Sequence, residues 1–178
     1  MSYGANNVEL NRDTPLFDVG INNNVVIKTV AFENAKKDGT SDKTVIRITF
    51  EGELGQTYTH TEFPVTDNDE KKIISQMKRL KRIVKEVTGN EFQTNFNSWE
   101  DCATSFIRSL GNYATTKLQI KLLYNDKGYL EMPKYDPTVK NMKEPTLSIS
   151  KSEEPKLIKS VNASSEAEIT ASNADLDF

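Results

Sequence analysis

The chain has 178 residues, of which 36% are hydrophobic and 28% charged, a composition that suits one ordinary domain with polar appendages. No run of about 18 apolar residues occurs, so no membrane span is expected, and the single cysteine, Cys102, excludes an internal disulfide or a cysteine metal cluster. The net charge of -3 arises at one end: residues 151–178 hold three basic residues (Lys151, Lys156, Lys159) against six acidic ones, while residues 1–150 balance.

The opening MSYGANNVEL has neither a basic stretch nor an apolar one, which argues against a secretory signal and for a reducing, cytoplasmic setting. Residues 1–24, rich in Asn and Asp, read as an N-terminal arm that docks through Leu16 and Phe17. Val25–Glu33 is β-branched and stops at Asn34, which predicts a first strand. Lys36, Lys37 and Lys43 lie in a polar connection with turn chemistry. Thr44–Glu51 alternates, with Ile46, Ile48 and Phe50 on one face and Val45, Arg47 and Thr49 on the other. After Gly52-Glu53-Leu54-Gly55, a third strand runs over Tyr58–Phe63 and is stopped by Pro64.

The period then changes from two to about 3.6. Asp67 and Asp69 offer capping oxygens, and Ile73, Met77, Leu80, Val84 and Val87 form an apolar stripe that Gly89 ends. Ser98 caps a second helix over Trp99–Leu110, with Asp101 placed for a capping box. Strands resume at Lys117–Tyr124, where Leu118, Ile120 and Leu122 point inward and Lys117, Gln119 and Lys121 outward. Asn125-Asp126-Lys127-Gly128 turns the chain into a short returning strand, Tyr129–Met132. From Pro137 onward the composition predicts a linker and a disordered acidic tail over 136–178.

The order β-β-β-α-α-β-β makes a mainly β, α+β domain over 25–135, with a helical insertion at about 66–111. Five antiparallel strands interrupted between the third and fourth have the order of an oligonucleotide-binding barrel. A small open sheet flanked by helices would read alike.

Catalytic chemistry finds little material. His60 is the only histidine, Cys102 sits in a helix interior between Trp99 and Phe106, and no glycine-rich phosphate loop occurs. Asp67 with Asp69 and Glu100 with Asp101 are placed as helix N-terminal acids. The expectation is a binding protein, with no catalytic residue, no metal and no cofactor.

Three features point to nucleic acid. The first helix carries Lys71, Lys72, Lys78, Arg79, Lys81, Arg82 and Lys85 opposite its apolar stripe, either a solvated face or a phosphate track, with Lys78, Arg79 and Arg82 as secondary contacts. Arg47, Tyr58, His60, Lys117 and Lys121 are expected on an outward sheet face, flanked by Tyr124 and Tyr129 and extended by Lys36, Lys37 and Lys43. A cationic groove with exposed rings is what a single-strand binder needs, although each tyrosine could equally be half-buried with a wet hydroxyl. The chain ends in Asp175-Leu176-Asp177-Phe178, a terminal ring beside a carboxylate that suits a partner's apolar pocket rimmed by a cation.

Taken with Gly20–Glu33 (GINNNVVIKTVAFE), the second-strand segment KTVIRITFEG and the acidic end DLDF, the chain resembles the single-stranded DNA-binding proteins of tailed bacteriophages. That resemblance implies an oligonucleotide-binding barrel that coats single strands during phage DNA replication and recombination, in the cytoplasm of a host cell. It also implies an acidic C-terminus that recruits replication or recombination proteins, and it is compatible with a homo-oligomer. The competing expectation is a protein-interaction module, a replication accessory or a small virion component, marked by an exposed apolar patch in place of a cationic groove.

Overall fold

A computed structural model describes residues 15–135 and 137–159. The meander comes first: β1 (Gly20–Asn34), β2 (Thr44–Glu51) and β3 (Thr57–Glu62). Two helices follow, α1 (Glu70–Thr88) and α2 (Trp99–Leu110), and then β4 (Leu118–Tyr124), β5 (Leu130–Glu131) and β6 (Val139–Asn141). All pairings are antiparallel, in the order β3-β2-β1-β4-β5, with β6 also on β4.

The strand β1 starts five residues before the expected Val25, and the Asn run is why this was hidden. Asn22 pairs with the Asp18 backbone through both its amide atoms (3.1 and 2.8 Å), and Asn24 takes a left-handed φ of 57°. The register shifts there, between Asn22 and Val25, and again between Ile27 and Thr29. Such irregularities bend a strand, so β1 pairs β4 with its first part and β2 with its second. Of the arm's two expected anchors, Phe17 is buried in the core whereas Leu16 is 83% exposed.

Core and helices follow the apolar pattern. Val25, Ile27, Ile46, Ile48, Phe50, Leu118, Ile120 and Leu122 face Leu80, Ile83, Val84 and Val87 of α1 and Ala103, Phe106 and Leu110 of α2. Burying each large side chain contributes about 1.5–3 kcal/mol. The Asp69 carboxylate caps α1 through the Lys71 and Lys72 amides, Gly89 ends it at φ 76°, and the Ser98 hydroxyl caps α2 at the Asp101 amide. Trp99 Nε1–H donates to the Thr44 carbonyl at 3.0 Å and pins α2 to the start of β2.

The sheet is open rather than closed into a barrel. No ladder joins β3 to β5 among the described residues: β5 is two residues long, and Pro133, just beyond Met132, has no N–H with which to extend it. Side chains bridge the gap instead: Met132 N–H donates to the Tyr58 hydroxyl at 2.9 Å, and Arg79 Nη1 to the Lys134 carbonyl at 3.0 Å.

The expected linker is in part folded. Glu86 of α1 accepts the Asn141 amide at 2.8 Å, and Leu147 N–H donates to the Gln119 side chain at 3.0 Å. Leu147 is buried and Glu153 pairs with Lys121 at 3.0 Å, so the segment after β6 straps the outer side of β4. The acidic tail from residue 160 onward lies outside the described residues. No helix among the described residues is long and apolar enough to cross a membrane.

Candidate nucleic-acid interface

The gap between β3 and β5 is a groove of about 910 Å³. One side is β3, the loop after it and the N-terminal half of α1, and the other is the β4–β5 turn and residues 130–135. Register decides what faces it. Phe50, Ile48 and Ile46 stand opposite Tyr58, His60 and Glu62, so those three share the inner face while Thr57, Thr59 and Thr61 point out.

On the groove floor, Glu62 is buried and fully engaged. Arg79 reaches it with Nε (2.7 Å) and Nη2 (2.8 Å), Gln76 Nε2 donates at 3.0 Å, and His60 Nε2 lies 2.9 Å away. Burial opposes ionisation, but the Arg79 and His60 hydrogen bonds and charges outweigh it and hold the carboxyl down at about 2. Tyr58 stacks on Phe50 at 6.4 Å, and burial pushes its phenol up to about 12. These groups form a fixed floor.

The rim has the opposite character. Phe63, Tyr129 and Tyr135 are 53%, 69% and 81% exposed, and Lys71, Lys72 and Lys134 are exposed in the same lining. Two acids are also present: Asp67 pairs with Lys72, and Glu131 accepts from Asn125 Nδ2 at 3.0 Å. Rings at the edge of a groove can stack on bases while lysines meet phosphates.

Of the residues expected to bind, Tyr58, His60, Arg79 and Tyr129 line this groove, and only Tyr129 presents a free face. The single outward face expected for Arg47, Tyr58, His60, Lys117 and Lys121 does not exist. Arg47 is on the other side of the sheet, tied to Glu33 and to the Ala35 carbonyl, each at 2.6 Å. Lys117 pairs with Glu53 at 3.3 Å and lines a separate hollow beside the end of α1. Lys121 does point away from the core, but the strap covers it: its side chain is 5% exposed and both Glu153 oxygens lie 3.0 Å from its ammonium.

Lys36, Lys37 and Lys43 are exposed on the β1–β2 connection and do not line the groove. Tyr124 is half-buried and borders a second groove. Along α1 Lys78 is exposed, Arg82 interacts with Glu86 at 3.4 Å, and Arg79 is committed to Glu62. Asp175, Leu176, Asp177 and Phe178 lie outside the described residues. Cys102 is buried as expected, and desolvation, with the Glu62 charge, pushes its thiol up to about 11, far from nucleophilic at neutral pH. No group of acids, His and Cys that could hold a metal occurs among the described residues.

Phe63, Tyr135 and Lys134 are the groove residues that the alternation argument misses. A signal for them does exist: Phe63 precedes Pro64, and Lys134-Tyr135 lies between Pro133 and Pro137. Proline ends regular structure at these points, which leaves the rings on loops. No protein-family model matches the chain, and no curated protein matches it.

Proposed function

We propose that the chain binds single-stranded DNA with little sequence preference in the groove between β3 and β5. The observation that carries this reading is the rim: three exposed rings, Phe63, Tyr129 and Tyr135, line one groove with Lys71, Lys72 and Lys134. Bases have a common π-face, so stacking tolerates sequence, while lysines supply a salt-dependent hold on phosphates. The strand order agrees with an oligonucleotide-binding barrel left open at its β3–β5 seam, and the resemblance to phage single-strand coating proteins points the same way. In this reading the protein is not an enzyme. It coats DNA during replication and recombination, and Asp175, Leu176, Asp177 and Phe178 engage partner proteins.

The test is a fluorescence titration with oligo-dT at low and high salt. Phe63→Ala with Tyr135→Ala should weaken binding by about 2–6 kcal/mol in total, taking about 1–3 per stacked base, with the melting temperature unchanged because both rings are exposed. Wild-type affinity that is absent, or that survives loss of both rings, overturns the reading. Absence would favour a protein-docking role instead, for which Ile73 and Ile74, 38% and 52% exposed at the start of α1, are the observation.

A further inference from the structure

The first groove continues past β5. A second groove of about 540 Å³ lies behind the β4–β5 hairpin, and the two share Asn125, Glu131, Pro133, Lys134 and Tyr135 as a common ridge. Its far wall is the strap, which presents Ser148, Ser150, Ser152 and Lys156. We infer that this second groove is an extension of the binding site that holds the sugar-phosphate backbone of a single strand leaving the first groove over Tyr135. The inference rests on the function proposed above.

Three observations support it. The ridge is held in place, because the Lys134 carbonyl accepts from Arg79 at 3.0 Å, so Tyr135 is 81% exposed on a braced segment. The path keeps groups that suit a sugar-phosphate chain: beyond the shared Lys134 the second groove adds Ser148, Ser152 and Lys156, and hydroxyls and lysines are backbone-contacting groups. The floor already holds an oxyanion. Lys121, the Ser150 amide (2.8 Å) and the Ser150 hydroxyl (2.9 Å) converge on the Glu153 carboxylate. Of the three acids among the described residues of the lining, Glu153 is thus turned toward Lys121 and Glu131 toward Asn125, while Asp126 sits in the hairpin turn. Exposed Lys134 and Lys156 are left facing an incoming phosphate chain.

A matched pair of charge reversals tests this path. Lys156→Glu changes the second groove. Lys151→Glu makes the same change in net charge five residues away, at an exposed position that lines neither groove. Wild type and both variants are titrated with oligo-dT of roughly 4 and roughly 16 nucleotides, the range of site sizes for one oligonucleotide-binding fold. Lys156→Glu should weaken the longer strand about tenfold more than Lys151→Glu does, lower its salt slope by about 0.7–1, and leave the short strand unchanged. Equal effects of the two reversals on the long strand overturn the second groove while the first stands. Wild type that binds neither strand overturns both.

Discussion

At Glu62 two tendencies oppose each other: burial disfavours a charge, and the donors of Arg79, Gln76 and His60 favour it. The donors prevail, and the linkage follows from the sign. A carboxyl whose folded value is about 2, against an ordinary 4.5, contributes stability that is fully present above 4.5 and is lost as pH falls through 2. Urea unfolding between pH 6 and 2 should therefore show a loss on the order of a few kcal/mol in that window. Glu62→Gln should remove most of that dependence and, at neutral pH, cost about 3–5 kcal/mol, because it breaks a buried ion pair in which Arg79 Nε and Nη2 both reach the carboxylate. Lys78→Gln, one residue from Arg79 but exposed, should be silent in the same assay. If Arg79→Gln is equally silent, the network is incidental.

Among the elements, the seam between β3 and β5 is held by side chains, so single atoms can be probed there. Tyr58→Phe keeps the ring on Phe50 and deletes only the acceptor for Met132 N–H. The expected cost is about 0.5–1.5 kcal/mol, with faster hydrogen exchange at the Met132 amide and little change in β2. Unchanged exchange at Met132 would mean that the hydroxyl does not brace the seam.

The same strand shows why the interface was only partly legible. The alternation of Ile46, Ile48 and Phe50 fixes β2 within the sequence itself, and the caps at Asp69, Gly89 and Ser98 fix both helices. In β3 the inward residues are Tyr58, His60 and Glu62, whose polarity comes from a buried network that spans β3 and α1. No local pattern reveals such partners, so the strand read as facing outward. Lys121 does point outward as the alternation predicts, but its cover is not legible locally, since it arrives from Glu153, far along the chain.

For the whole molecule, charge is the quantity that the two ends of the chain divide unequally. Residues 160–178 carry four acidic residues and no basic one, so a chain ending at Lys159 changes its formal charge from -3 to +1. The strap, by contrast, supplies buried Leu147 and the partner of Lys121, and belongs to the fold. The two truncations should therefore separate. Ending the chain at Met142 should lower the melting temperature markedly, because Gln119 loses its Leu147 contact and Lys121 is left without its carboxylate. Ending it at Lys159 removes none of the contacts described above and should leave the melting temperature within about a degree. Single-strand binding should respond in the opposite order. Loss of four negative charges raises the attraction of the body for a polyanion at low salt, and the gain should fade toward about 1 M salt, where the screening length falls to about 3 Å. If the Lys159-terminated chain binds oligo-dT identically to the full chain at low salt, the acidic end does not reach the groove's field and serves another purpose.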